Sequence, residues 1–278
     1  MLPMRVSVKR RTGILVLLLA LLTPALLQAQ TPPLAGIAHV AFRVGNLDQT
    51  RAFYQKLGFE QFLEFSSAGK PSVAFMKIND RQFIELYAPR DDSQPLGLMH
   101  VCYESHDIAA VHDAYASGGL TPSDVKKAHA GNLLFVIHDP EDQPLEYTQY
   151  EPGSLHSLDR GKHLGPDRVS RRLIGAILPV RDVPAEEAFY RDKLGFESSR
   201  TAKTELLLPG GSASEIELEE AAATTRPGIA FEVDNVKRTA KALRHRGFAV
   251  EASGHAVSVQ DPDGVLVVFR KTDAQQVP

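Results

Sequence analysis

Alternating apolar and polar positions mark short strands along this chain, and each group of strands is interrupted by one amphipathic helix. Strand-like alternation occurs at 37–44, 83–87, 100–105 and 144–147. Helical periodicity predicts four helices, over 47–57, 107–117, 184–194 and 236–246. Each helix ends at a glycine, the residue that helix C-termini favour. The pattern therefore predicts four units of the type βαβββ.

The chain also repeats itself at a longer interval. AFYQKLGF (52–59) matches AFYRDKLGF (188–196), and DPEDQPLEY (139–147) matches DPDGVLVVF (261–269). The segment 151–172 is rich in Gly, Pro, Ser and charge and lacks an apolar period, which predicts a linker. We therefore expect an α+β fold of two domains, 34–150 and 173–271, each closing a curved mixed sheet with its helices outside, and a frayed tail at 272–278.

The N-terminus has the composition of a targeting segment. Four basic residues precede the apolar run 14–22, and Leu27-Gln28-Ala29 offers a small-residue cleavage site. This predicts a Sec-type signal peptide over 1–29, cleavage near Ala29 and export to the periplasm or the medium. The apolar run is shorter than a membrane-spanning helix requires, so no stable span is expected after cleavage.

Composition and charge narrow the class of partner. The chain has 278 residues, 43% of them hydrophobic, and a net charge of −3 with basic residues spread along its length. It has no basic patch of the kind that binds nucleic acid. We expect a small-molecule substrate, and pairing of two copies through the second domain is an option that the sequence leaves open.

Four residues of metal-binding type recur at matching strand positions of the first half. His39 and His100 each lie early in a strand, and Glu85 and Glu146 each lie in a later one. A single strand histidine is more often packed or hydrogen-bonded than metal-bound, but two at equivalent positions reverse that expectation. Two imidazoles and two carboxylates suit a divalent ion such as Fe, Mn, Ni or Zn.

The second half provides a comparison for this quartet. Its positions matching His39, His100 and Glu146 are Gly175, Gly228 and Val268, whereas Glu85 is matched by Glu217. We therefore expect no metal in the second domain. The retained glutamate leaves two interpretations of Glu85, either as a fourth ligand or as a structural residue beside a three-ligand facial triad.

The tandem units, with the FYxxxLGF-like helix ends, histidine in the first strand and glutamate in the last, resemble the vicinal oxygen chelate superfamily of glyoxalase I, bleomycin-resistance proteins and extradiol dioxygenases. The resemblance implies that His39, Glu85, His100 and Glu146 correspond to the ligands of glyoxalase I. It also implies that Glu85 or Glu146 moves a proton between adjacent carbons of a substrate chelated through two oxygens.

The resemblance also implies two other functions. In an Fe(II) extradiol-type dioxygenase of catechol-like substrates, His39, His100 and Glu146 would be the metal ligands. His129, at a spacing similar to that of a dioxygenase signature, would be a catalytic acid–base group. A non-catalytic, resistance-type protein that sequesters a small molecule is the third alternative.

Two further side chains are predicted to contact substrate. Arg43 follows His39 by four residues on the same strand face and is a candidate to bind a substrate carboxylate. In glyoxalase I an arginine at this spacing helps to bind glutathione, but the asparagine expected with it is Pro89 here, which disfavours glutathione. Cys102, the only cysteine, falls two residues after His100 and is predicted to line the cavity.

Overall fold

A computed structural model of the protein describes residues 31–200 and 204–272. The predicted signal peptide at 1–29 lies outside the described residues, as does all but the first residue of the predicted tail. No helix within the two described ranges is long and apolar enough to cross a membrane.

The first half contains eight strands and two helices in the predicted order. The strands are β1 Gly36–Arg43, β2 Glu60–Ser67, β3 Lys70–Lys77, β4 Phe83–Tyr87, β5 Gly97–Glu104, β6 Lys126–Lys127, β7 Leu133–His138 and β8 Pro144–Gln149. The helices are α1 Leu47–Lys56 and α2 Ile108–Ser117. A four-residue helix, α3 Leu155–Leu158, follows β8.

The second half repeats this order. Its strands are β9 Leu173–Val180, β10 Glu197–Ser198, β11 Glu205–Leu207, β12 Glu215–Glu220, β13 Gly228–Glu232, β14 Glu251–Ser253, β15 Ala256–Gln260 and β16 Leu266–Arg270. Its helices are α4 Val183–Asp192 and α5 Val236–His245. The four predicted helices are therefore present to within two residues.

Each half folds its strands into one mixed sheet of eight. The orders are β2-β3-β4-β1-β5-β8-β7-β6 and β10-β11-β12-β9-β13-β16-β15-β14. Strands β4, β1, β5 and β8 are thus consecutive neighbours at the centre of the first sheet. Every predicted metal ligand lies on a different one of these four strands.

Local sequence fixes where the long helices begin and end. Each follows an Asn or Asp whose side chain accepts a hydrogen bond from the backbone N–H three residues later: Asn46, Asp107, Asp182 and Asn235. After α1, Gly58 has a φ of 91°, and a Cβ there would lie 2.5 Å from the backbone of Arg168. Only glycine fits both the turn and this contact.

The repeated sequence motifs meet at the junction of the two halves. The ring of Phe59, which ends the first AFY…LGF motif, stacks on Phe231 of the second half at 5.2 Å. Phe196, which ends the second motif, packs edge-on against Tyr103 of the first half at 5.6 Å. The apolar cores of the two halves accordingly form one continuous cluster.

The segment 151–172 packs against the first sheet instead of running free between the domains. Lys77 of β3 is buried and donates to both the backbone carbonyl and the carboxylate of Asp159, each at 2.7 Å. The amide of Leu155 donates to the carbonyl of Ala130 at 2.8 Å. Because Lys77 and Ala130 belong to different βαβββ units, this segment ties the two units of the first domain together.

Candidate metal centre

Side-chain alternation brings the four predicted ligands to one face of the first sheet. Register places Ala41 of β1 opposite both Glu85 of β4 and His100 of β5. His39 lies two residues before Ala41 and points to the same side. Glu146 of β8 pairs with Cys102, which in turn pairs with His39. The four side chains therefore converge from adjacent strands.

The donor atoms lie within a few ångströms of one another. Nε2 of His39 lies 3.0 Å from Nε2 of His100 and 3.6 Å from a carboxylate oxygen of each glutamate. Nε2 of His100 lies 3.8 Å from the other oxygen of Glu85. His39 and Glu85 are buried, and Glu146 has the largest exposed side-chain fraction of the four, at 17%. Solvent therefore reaches the cluster on the side of Glu146.

Burial changes the protonation of the cluster. It lowers the pKa of His39 and of His100, and the neighbouring His100 lowers that of His39 further. Both imidazoles therefore favour the neutral form that coordinates metals. Burial, followed by the charge of Glu146, raises the pKa of Glu85 to about 8. A cation among these groups would offset the repulsion between the two carboxylates.

The arrangement fits a divalent ion. Ligand atoms at about 2.0–2.2 Å from a metal lie roughly 3.0 Å apart in octahedral and 3.4 Å apart in tetrahedral geometry, and the measured separations run from 3.0 to 3.8 Å. The donor atoms of His39, Glu85 and His100 lie within 4.8 Å of one another, as do those of His39, Cys102 and Glu146. The first sheet thus holds groups able to bind a metal.

Cys102 lies beneath this cluster and does not line an open cavity. Its side chain is fully buried between His39 and Glu146 in the sheet. Burial, followed by the charge of Glu146, raises the pKa of its thiol. The sulfur of Cys102 and a carboxylate oxygen of Glu146 are close enough to bind the same ion. A substrate entering from solvent would contact Glu146 before Cys102, because Glu146 is the more exposed of the two.

Within 31–200 and 204–272, no hydrogen bond, ion pair or ring contact joins Arg43 or His129 to the four donors. Arg43, at the end of β1, donates to the carbonyl of Pro95 at 2.9 Å. His129 is exposed in the loop between β6 and β7, where its ring packs edge-on against Phe65 at 4.6 Å. Phe65 contacts Phe75, and Phe75 contacts Phe83 beside His39. His129 therefore lies at the outer edge of the concave face.

An aromatic cluster, which the sequence analysis did not single out, covers the face beside the donors. Val73, Phe75 and Phe83 form its buried part, with Phe62, Phe65, Tyr87 and Tyr150 packed around them. The Tyr87 hydroxyl donates to Glu85 at 2.8 Å. The ring of Phe83 stacks on His39 at 4.6 Å on one side and on His156 of α3 at 4.6 Å on the other. The sequence assigns His156 no role, because it shows no paired spacing with another residue of metal-binding type.

The second sheet carries different side chains at the equivalent positions. In the second sheet, Ile177 pairs with Glu217 and Gly228, as Ala41 pairs with Glu85 and His100 in the first. Ala230 pairs with Val268, as Cys102 pairs with Glu146. Arg270 forms ion pairs with Glu205, Glu215 and Glu217 on this sheet. Glu217 thus belongs to a carboxylate–guanidinium network, whereas Glu85 lies beside two imidazoles.

Comparison with known proteins agrees with this geometry. The family model of the Glyoxalase/Bleomycin resistance protein/Dioxygenase superfamily matches residues 36–147 and 171–269. The chain belongs to this family, and its two sheets of tandem βαβββ units confirm the predicted fold class. No curated protein sequence matches the chain significantly.

Solved structures with the same fold include both kinds of enzyme. The Mn(II)-bound glyoxalase from Novosphingobium aromaticivorans is 16% identical, with a TM-score of 0.66 over 86% of this chain and 83% of that one. The 2,3-dioxygenase LapB from Pseudomonas sp. KL28 is 14% identical, with a TM-score of 0.67 over 87% and 93%. A catechol 2,3-dioxygenase is 16% identical, with a TM-score of 0.64 over 88% and 91%. At these low sequence identities, the similarity shows a shared fold and does not assign an activity.

Proposed function

We propose that this protein is a metal-dependent enzyme of glyoxalase type, a lyase or isomerase acting on a small substrate chelated through two adjacent oxygens. The observation that carries the proposal is the convergence of His39, Glu85, His100 and Glu146 from four neighbouring strands. Fe, Mn, Ni or Zn would suit these nitrogen and oxygen donors. Open coordination positions would remain for the substrate.

The residues of the centre take different roles in this proposal. An ion held by these four residues would supply Lewis-acid chemistry at the substrate oxygens, which would make the neighbouring C–H more acidic. Glu146, the most exposed of the four side chains, is the base that reaches that proton. Glu85 is held by the Tyr87 hydroxyl, which favours a role as ligand over one as mobile base.

An Fe(II) extradiol-type dioxygenase is the second candidate, and the aromatic cluster favours it. Phe83 stacks directly on His39, so an aromatic ring chelated at the centre would meet apolar side chains on that side. His39, His100 and Glu146 would then suffice as ligands. His129 would have to move from its exposed place against Phe65 to act on bound substrate.

The proposal extends to location and partners. Export after cleavage near Ala29 follows from the basic and apolar pattern of 1–29. The partner is a small molecule, which the likeness to a glyoxalase and to a catechol dioxygenase supports. Pairing of two chains stays a prediction that gel filtration would test.

Metal content tests the proposal directly. Protein purified without chelator should retain about one divalent ion per chain, and Glu85→Gln should weaken its binding by at least the roughly 10- to 100-fold that loss of a residue supporting a ligand costs. Glu217→Gln is the matched control, because it alters the equivalent position of the sheet that we expect to bind no metal. Absence of metal in the wild-type protein and failure to take it up would favour the sequestering alternative.

Oxygen uptake separates the two enzymatic candidates. Protein loaded with Fe(II) would consume oxygen with catechols if it is a dioxygenase, and would consume none if it is a lyase or isomerase. His129→Ala should lower the rate only in the first case.

A further inference from the structure

Helix α5 has the most one-sided charge of the four long helices that the structure describes. Its sequence VKRTAKALRH contains four cations and no acid, whereas α1, α2 and α4 each contain at least one acidic residue. Thr239, Ala240 and Leu243 are its buried residues, and they face the second sheet. The cations are exposed on the opposite side and form the basic face of α5: Lys237, Arg238, Lys241 and Arg244. At about 100° per residue they fall within an arc of roughly 120°, which contains no apolar residue of the helix.

The fold makes no use of these four side chains. In the part of the chain that the structure describes, none of them forms a hydrogen bond or an ion pair. Arg246, which follows the helix, differs because it donates to the backbone carbonyls of Lys56 and Asp167. On α1, the cation of Arg51 is paired with Asp48 of the same helix. The basic face is therefore a set of cations that the protein itself does not neutralise.

The charges of the basic face destabilise the helix that carries them. Lys237 and Arg238 lie in the first turn, at the positive end of the helix dipole. Lys237 and Lys241 are four residues apart, a spacing at which like charges repel. Exposed acids flank the helix, Asp234 before it and Glu251 after it, but neither is paired with the four cations within the described ranges. Packing on the sheet keeps α5 folded in spite of its charges.

Helix α2 shows that the architecture does not require cations at these positions. It holds the place in the first half that α5 holds in the second, and the two helices begin after the capping residues Asp107 and Asn235. Buried positions correspond, as Val111 does to Thr239. Counted from the caps, the four positions of the basic face are occupied in α2 by Ala109, Ala110, Asp113 and Ala116. The difference between the helices lies on their outer sides, where a partner would bind.

We propose that the basic face of α5 binds the surface of an anionic lipid membrane. This role is separate from the proposed function, because the donors of the metal centre lie in the other sheet. A helix of ten residues is about 15 Å long, so its four cations form a short row that a flat surface of phosphate groups can contact together. Since the arc contains no apolar residue, the contact is electrostatic and the helix does not insert into the bilayer.

Lipid is favoured over nucleic acid by the expected location of the protein. Lysine and arginine bind phosphate groups, which both partners carry. The basic and apolar pattern of 1–29 predicts export, and an exported protein encounters a membrane surface. The whole chain has a net charge of −3, so attraction to any polyanion has to come from a local surface such as this one.

Co-sedimentation with vesicles tests the assignment. The vesicles contain phosphatidylcholine alone or with about one third phosphatidylglycerol, at about 0.1 M salt, where the Debye length of about 10 Å limits attraction to charges near the surface. Wild-type protein should bind the anionic vesicles, bind the neutral ones no more than a protein-free baseline, and be released by about 1 M salt. Each cation near an anionic surface contributes about 5-fold, so loss of all four should lower the bound-to-free ratio by roughly 100-fold or more. The variant that shows this combines Lys237→Ala, Arg238→Ala, Lys241→Ala and Arg244→Ala.

Two further variants separate charge from fold and local charge from net charge. A charge-preserving variant should bind as the wild type does; it combines Lys237→Arg, Arg238→Lys, Lys241→Arg and Arg244→Lys. A matched control removes four exposed cations of the first half and should keep most of the binding; it combines Lys70→Ala, Arg90→Ala, Lys126→Ala and Lys127→Ala. Alanine favours helix and relieves the like-charge repulsion, so the α5 alanine variant should unfold at a temperature no lower than the wild type.

All these proteins carry the same N-terminus, so any contribution of 1–29 to binding is common to them. The assignment is overturned if the wild type binds neutral and anionic vesicles alike, or if the α5 alanine variant binds as the wild type does. It is also overturned if the control variant loses as much binding as the α5 alanine variant, which would show an effect of net charge. Tighter binding of the wild type to a DNA duplex than to the anionic vesicles, compared per phosphate, would replace lipid by nucleic acid as the partner.

Discussion

Asp263 joins the second half of the molecule to the first, and replacing it by alanine tests how much its two hydrogen bonds stabilise the fold. One carboxylate oxygen accepts a hydrogen bond from the Gly45 amide at 2.7 Å, and the other accepts one from the Thr50 hydroxyl at 2.8 Å. Asp263 belongs to the DPDG motif of the second half, whereas Gly45 and Thr50 lie at the start of α1. Asp263→Ala removes these two hydrogen bonds between the halves.

The magnitude follows from the burial of the two donors. Thr50 is fully buried, so its hydroxyl would lose its partner without gaining water, whereas the Gly45 amide lies at an exposed residue and is rehydrated more easily. An unpaired buried donor costs about 1–3 kcal/mol, which places the expected loss for the two bonds at about 2–4 kcal/mol. A typical domain has about 5–15 kcal/mol of unfolding free energy. The loss should therefore be readily measured.

Urea unfolding followed by far-UV circular dichroism is the assay, because the chain has no tryptophan to report by fluorescence. Asp263→Asn keeps one acceptor oxygen and should lose about half as much. Asp92→Ala, which removes an exposed acid between β4 and β5, is the control and should change the unfolding free energy by less than about 0.5 kcal/mol. If Asp263→Ala unfolds at the same urea concentration as Asp92→Ala, the two hydrogen bonds of Asp263 contribute nothing and the reasoning fails.

Three other predictions follow from buried groups. Burial, followed by the charges of Asp139 and Glu141, raises the pKa of Glu186 from 4.5 to about 8. The contribution of Glu186 to stability should therefore fall as pH rises from 4.5 to 8. Over that range the unfolding temperature of Glu186→Gln should rise relative to that of the wild type. Lys77→Met leaves the buried Asp159 with only the His163 imidazole as a side-chain partner and should cost up to about 3–5 kcal/mol in urea unfolding, part of which a second change, Asp159→Asn, restores. The Cys102 thiol should react with Ellman's reagent only after unfolding, and fast reaction of the native protein would contradict its burial.

Much of the fold could be predicted because its determinants are local. Alternation, helix period and terminal glycines predicted the four long helices, and the N-cap residues immediately before them explain their starts. The alignment of the two halves predicted pairs such as His39 with Gly175 and Glu146 with Val268, and the register of the two sheets reproduces these pairs. Residues with the same place in a βαβββ unit have the same place in the sheet.

The segment 151–172 could not be described from its sequence, for a physical reason. A helix as short as α3 is not stable through its own hydrogen bonds, and it forms here because distant residues hold it. Ser154 accepts a hydrogen bond from the Ser157 amide, while Ala130 of the β6–β7 loop and Lys77 of β3 bind the two ends of the helix. None of these contacts produces a periodic pattern in the sequence, so the position of His156 beside Phe83 could not be predicted. Alternation likewise gave the face of Arg43 but not its hydrogen bond to the Pro95 carbonyl.

Residues at matching positions of the two halves serve either the fold or the candidate site, and the side chains around each residue show which. Phe59 and Phe196 match because each packs across the junction, on Phe231 and Tyr103. His39 and Gly175 differ, since the first brings an imidazole into the donor cluster and the second brings no side chain to the equivalent place. Glu85 and Glu217 match in type, yet the first lies beside two imidazoles and the second beside Arg270. A residue type shared by both halves therefore does not by itself show what the residue does. The neighbouring side chains decide whether a carboxylate pairs with a guanidinium or is available to bind a metal.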